Sequence, residues 1–285
     1  MKRLFIACLA VAVLAAACAS PEALKPLPTR AESQEGFGDD SLRRGDVADA
    51  KRRYESALCE YRRLDNLRGI IVVFIKMGNT DMLEGDYPQA TDYFEQARLI
   101  AERENLKELV MEAALSAAMA ELAQGDLPHA EKMLAAAESS GLAGWKRDNA
   151  FGRLVMAKGD SEGAKKLFTA AMEAARSAKN ASAESACQSN LGKLLLQTGD
   201  AEASLTHLNH ALVLYKADEE VLAIGETLHL IGKAYEVKKD YSAARYFYIR
   251  AYGVNSAAGI GRRAAGDQAA LARIDKKMKE TAPAH

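Results

Sequence analysis

Between residues 31 and 262 the chain repeats one arrangement of small, large and polar positions six times. Gly-Asp stands at 45–46, 85–86, 125–126, 159–160 and 199–200, and Lys239-Asp240 takes the same place in a sixth copy, with spacings of 40, 40, 34, 40 and 40 residues. Five residues after each Gly (or Lys239) comes a small side chain: Ala50, Ala90, Ala130, Ala164, Ser204 or Ala244. Four further on is a large apolar one, Tyr54, Phe94, Leu134, Phe168, Leu208 or Tyr248, and three beyond that always alanine. Positions i, i+4 and i+7 share one helix face, so each copy predicts a helix with a bulky knob between two close contacts. Seven residues before each Gly or Lys239 the residue is again small: Gly38, Gly78, Ala118, Gly152, Gly192 and Gly232. A second helix is therefore expected to approach closely there.

The turns follow from the same register. Glycine is expected to end the first helix in a left-handed conformation, and the following Asp to cap the second by accepting its free amide N–H groups. Pro88 and Pro128 fall in first turns, where a missing N–H costs nothing. The prediction is six antiparallel helix pairs, each with one apolar side for its partner and others for its neighbours. Residues 263 to 280, with alternating charge and apolar Leu271, Ile274 and Met278, predict a capping helix.

Composition agrees with this pattern. Alanine supplies 55 of 285 residues, against 10 Ile and 8 Thr, and aromatics are 6%. Alanine loses no side-chain entropy in a helix, whereas a large sandwich or barrel needs many β-branched and aromatic residues, so those folds are excluded. At 49% hydrophobic residues, disorder over the whole chain is excluded as well. A net charge of −1 lacks the electrostatic footprint of a sequence-independent nucleic-acid binder.

The N-terminal segment is expected to be removed before folding. Lys2 and Arg3 precede the uncharged stretch 4–17, too short to anchor stably across a bilayer, and this reads as an export signal over 1–17. Leu14-Ala15-Ala16-Ala17-Cys18 resembles the lipobox of bacterial lipoproteins, although that family usually has Leu where this chain has Ala15. The resemblance implies an acylated Cys18, bearing fatty chains such as palmitate, at the new N-terminus; the alternative is ordinary cleavage near Ala17 and a soluble secreted protein. Ala19 and Ser20, without an Asp, imply the outer membrane of a Gram-negative host, facing the periplasm. Net charge would then be −3, so attachment would rest on lipid chains rather than on a polybasic grip. Pro21, Pro26 and Pro28 favour an extended tether over residues 18–30.

Leu191-Gly192, Gly199, Phe168 with Ala164 and Ala171, and Ile231-Gly232 with Tyr235 resemble the signature of the tetratricopeptide repeat, W-x2-L-G-x2-Y followed by G, A, F and A. The resemblance covers about residues 31 to 255, and its 40-residue spacing is similar to the long-helix variant of that family. It implies an all-α, right-handed α-solenoid of six helix pairs over 31–262, with the cap and tail at 263–285. Copy 1, with Gln34, Phe37 and Gly38, departs from the pattern, and Trp145 marks a shortened fourth unit. If each repeat touches mainly its neighbours, Cys59 and Cys187 are too far apart to bond, leaving two free, mostly buried thiols.

No catalytic constellation stands out: HExxH, paired CxxC, a phosphate loop and G-x-S-x-G are all missing from the sequence. His207 and His210 lack a third ligand and are expected to be structural, and His129 and His229 lack triad partners. Tyr246 and Tyr248 are expected to pack between helices. Neither cofactor nor metal is implied. In the family, the side chain after the conserved Gly commonly faces the concave groove, which here gives Asp39, Asn79, Met119, Arg153, Lys193 and Lys233. The last three would form a basic ladder, with Asn190 and His229 nearby, able to receive an acidic or C-terminal segment of an envelope protein or peptide. Solvated groove charges are the plainer reading, with Glu226 and Glu236 partly neutralising the last rung. The expected function is a non-enzymatic envelope adaptor, similar in layout to pilotin and envelope-assembly lipoproteins. The alternative is a self-associating structural lipoprotein, a homodimer joined through an exposed Ile70-Ile71-Val72-Val73-Phe74-Ile75.

Overall fold

The computed structural model describes residues 28–139 and 144–281. The export signal, Cys18 and nearly all of the tether lie outside the described residues. Six antiparallel pairs follow one another: α1 (Arg30–Arg43) with α2 (Val47–Arg63), α3 (Leu67–Glu84) with α4 (Tyr87–Arg103), and α5 (Lys107–Gln124) with α6 (Leu127–Ser139). Then come α7 (Trp145–Ala157) with α8 (Ser161–Ser177), α9 (Ala181–Gln197) with α10 (Ala201–Ala217), and α11 (Val221–Val237) with α12 (Tyr241–Ala257). A thirteenth helix, α13 (Gly261–Thr281), closes the array as a cap, and no strand occurs among the described residues. The six residues missing from the third interval fall at the α6–α7 junction, where both helices have 13 residues.

The turns form as their residues dictate. Each Asp of the repeated dipeptide accepts an amide N–H three residues on: Asp46 from Asp49 at 2.9 Å, Asp160 from Gly163 at 2.9 Å, Asp240 from Ala243 at 3.0 Å, and likewise Asp86, Asp126 and Asp200. Gly85 adopts φ +86°, and in the sixth copy Lys239 holds the same left-handed position at +62° with a side chain attached. The close-contact column is equally literal. A Cβ on Gly78 would stand 2.5 Å from Phe94 Cε1, so the fully buried ring rests on the bare Cα. Burying such a ring contributes about 1.5–3 kcal/mol, and the six knobs are all fully buried.

Curvature comes from which helices touch. Successive first helices meet (α3 with α5, α5 with α7, α7 with α9, α9 with α11, α11 with α13), whereas second helices are not packed on one another in that way. First helices therefore line the inside of a coil and second helices its outside. The coil goes once round and meets itself. A Cβ on Gly45, in the α1–α2 turn, would lie 2.8 Å from Cβ of Ala258 and 3.2 Å from Val221 Cγ1. Val47, Ala258 and Ile260 form a buried apolar seam, with Leu42, Leu83, Val221 and Leu222 packed around it. Turns within pairs lie on one rim of such an array and turns between pairs on the other, so the end of the coil sits on its beginning like a lock washer.

This seam corrects the expectation that repeats contact mainly their neighbours: units 1 and 2 touch unit 6 and the cap. Two further expectations fail. Ile70, Ile71, Val73, Phe74 and Ile75 are buried core residues, because α3 is covered by the helices on either side, so this segment is not a free dimer surface. Cys187 is free and buried as expected, but Cys59 is free and exposed, since it sits on the outward side of α2. Tyr248 packs inside, while Tyr246 is exposed on α12. No helix among the described residues is long and apolar enough to cross a membrane.

Candidate functional site on the inner face of the coil

The inner face is tied together rung by rung across consecutive first helices. Lys76 Nζ of α3 lies 2.7 Å from Glu35 Oε1 and 2.6 Å from Asp39 Oδ2 of α1. Lys146 of α7 donates to Glu112 of α5 at 3.0 Å, and Asn190 Nδ2 of α9 donates to Asn149 Oδ1 of α7 at 2.8 Å. Lys193 of α9 pairs with Glu226 of α11, whose other oxygen accepts Arg263 Nη2 of α13 at 3.1 Å. His229 Nδ1 lies 2.6 Å from Asp267 Oδ1, and the second oxygen of that buried carboxylate accepts from Asn255 at 2.7 Å. Spacing decides each rung: first helices at this repeat length place residues 33 to 41 positions apart beside one another.

Glu226 is the hub of the far half. Lys193 foremost, then Arg263 and the more distant Arg153, hold its carboxyl down at about 2 against the opposing effect of desolvation. Its side chain nonetheless keeps 38% of its surface accessible, so the cluster stands in a solvent-accessible concavity rather than in the core. Beside it a chamber of about 350 Å³ opens under the seam, walled by Met82, Leu83, Tyr87, Leu230, His229 and Arg262 among others.

Arg153 differs from the other cations. It is half-buried, and its guanidinium makes no hydrogen bond or ion pair with any described residue. Desolvation lowers its pKa, with Glu226 pulling the other way from a distance. It lines a recess of about 200 Å³ with Leu115, Ser116, Met119, Trp145 and Asn149.

The six side chains expected to form the groove are therefore not equivalent. Lys193 and Arg153 converge on Glu226, with His229 lining the adjoining chamber. Asn190 is buried and engaged by Asn149. Asn79 and Lys233 are exposed and join none of these rungs, so the even basic ladder of the sequence is in fact one neutralised lysine, one free guanidinium and one solvated lysine. Glu236 is taken up by Arg273 and Lys277 of the cap instead of the last rung. Glu226 as a hub, Arg263 and the Asp267 partner of His229 escaped sequence reading, because α13 looked like a solvated cap. His207 Nδ1 lies 2.6 Å from Gln188 Oε1, and no group of three or more metal-binding side chains occurs among the described residues.

No family model matches the sequence, and no curated protein matches it in sequence. Solved structures do match in fold. A Rap protein complexed with competence and sporulation factor is 12% identical, with a TM-score of 0.58 over 88% of this chain and 76% of that one. A signal transduction ATPase with numerous domains, carrying a tetratricopeptide-repeat sensor, from Pyrococcus horikoshii is 18% identical, with a TM-score of 0.57 over 85% and 37%. The APC/C hetero-tetramer Cut9-Hcn1 is 18% identical, with a TM-score of 0.54 over 82% and 42%. This chain thus spans under half of the latter two. The likeness establishes a tetratricopeptide-like helical solenoid.

Proposed function

We propose that the chain is a non-enzymatic adaptor that holds an extended segment of another protein against the inner face of its coil, displayed from the outer membrane by acyl chains on Cys18. The observation that carries this reading is the inner face itself: polar side chains from nearly every unit project into one concavity, and Arg153 among them is a half-buried cation without a counter-charge. A groove of this kind binds extended segments through side-chain hydrogen bonds and charge-assisted pairs. The Rap neighbour, solved with a factor bound, lends support by analogy of fold alone.

Photocrosslinking in cells tests the adaptor. A photoreactive residue in place of Met119, on the inner face, is expected to give one discrete adduct, and the same residue in place of Val213, exposed outside, none. Adducts only from position 213 would sink the inner-face reading. For the anchor, Cys18→Ser should move the protein from the membrane to the soluble fraction, and retention would refute lipidation.

A further inference from the structure

We infer that Arg153 is the docking point for a carboxylate of the bound segment, with Trp145, Leu115 and Met119 seating a large apolar residue beside it. The ligand class is thus an acidic–apolar peptide segment. This rests on the adaptor reading and adds the chemistry of its partner.

The argument starts from charge left over. The carboxylate that lines the same recess, Glu112, is already bound by Lys146 at 3.0 Å. The one whose charge reaches Arg153, Glu226, is held by Lys193 and Arg263 together. Arg153 is therefore a half-desolvated cation with nothing bound to it, in a fold where Lys76, Lys146, Lys193, Arg263 and Arg273 each reach a carboxylate. A desolvated, unpaired charge is costly, and its persistence points to a partner supplied from outside. Chemistry then selects that partner. Guanidinium presents a rigid planar fork of donors that matches a carboxylate with two parallel hydrogen bonds, which a lysine at the same place would not. The recess is lined by apolar Leu115, Met119 and Trp145 together with hydrogen-bonding Ser116 and Asn149. Arg153, Lys193 and Arg263 surround the single carboxylate of Glu226, an excess that favours a negative segment.

The carboxylate belongs either to an Asp or Glu side chain or to a chain terminus, and two random dodecamer phage libraries separate these: one with the peptide C-terminus fused, one with it free. Selected on the intact lipid-free chain, the fused library is expected to enrich Asp or Glu adjacent to a large apolar residue. Enrichment of a terminal apolar residue in the free library alone assigns the terminus instead. Synthetic peptides from either selection should change the emission of Trp145, the single tryptophan. Arg153→Ala should weaken them about tenfold to a hundredfold, the range of charge-assisted bonds. Arg153→Lys should recover part of that loss, and Lys166→Ala, at an exposed position of the outer helix α8, should leave the affinity at its wild-type value. Circular dichroism confirms that each variant is folded. Motifs without an acid, or affinities indifferent to Arg153→Ala, overturn this inference and leave the adaptor standing. Failure of both libraries to enrich any motif on the wild-type chain overturns the adaptor and this inference together.

Discussion

Arg262 of α13 lies over the ring of Tyr87, 175 residues before it, with its guanidinium carbon 5.2 Å from the ring centroid and Nη1 donating to the phenol oxygen. With Gly45 against Ala258 and Val221, this contact turns an open stack into a closed one. A cation–π pair at a surface contributes about 0.5–1 kcal/mol, so Arg262→Ala should lower stability only slightly. Ala258→Arg, which wedges a long side chain into the seam, should instead part the rims. Small-angle scattering should then record a larger radius of gyration at unchanged helicity. An unchanged radius would mean that the ends do not touch in solution.

Each knob needs its bare Cα. Because a Cβ on Gly78 would lie 2.5 Å from the buried Phe94 ring, Gly78→Ala must displace that ring. Overpacking typically costs about 1–3 kcal/mol and the helix-propensity gain returns about 1. The expected net loss is therefore at most about 2 kcal/mol. Unit 3 carries the tolerated combination naturally, Ala118 in the small register and Leu134 in the large one. Gly78→Ala with Phe94→Leu should therefore cost less than the two changes summed. Strict additivity in urea denaturation would deny that the two positions touch.

What the sequence made legible is what one unit contains. The Asp caps, the small column and the knobs are set by neighbours within about 20 residues, and they lie where the spacing placed them. The turns between pairs were harder to read, since Asp65, Asn105, Lys179 and Glu219 adopt positive φ without glycine to mark them. The seam was invisible because Val47 and Ile260 look like any apolar residues; closure depends on a small rotation per unit summed over the whole array. The candidate site was half legible for the same reason. Arg153 and Lys193 occupy one register and read alike, yet Glu226 reaches one directly and the other only at a distance. That difference depends on side-chain geometry across three units.

The two described thiols should differ sharply in reactivity. Cys59 is exposed on α2, whereas burial foremost, with the Glu184 charge adding, pushes the Cys187 thiol up to about 12. Only a thiolate reacts fast with a disulfide reagent. With Cys8 and Cys18 replaced by serine, Ellman's reagent is expected to titrate one equivalent in the native protein and two after unfolding. Two equivalents from the native protein would contradict the packing of α9.

Acid should attack the junction of unit 6 with the cap. Arg273 foremost, then Lys277 and the Tyr248 hydroxyl, hold the Glu236 carboxyl down at about 2 against an ordinary 4.5. A carboxyl depressed on folding stabilises the native state above its unfolded value, and that contribution drains away as pH falls from about 4.5 toward 2. A shift of that size corresponds to about 3 kcal/mol at most. Glu226 behaves in the same direction, but with 38% of its side chain accessible its share is reduced by solvent screening. Glu236, at 13%, is the better test. Glu236→Gln should cost about 2–3 kcal/mol at pH 7 and far less near pH 2.5, where the wild-type carboxylate is itself being protonated. Urea denaturation at the two pH values measures the difference. An equal loss at both would mean that Glu236 acts through its shape and hydrogen bonds, and that the charge on the cap does not hold it to unit 6.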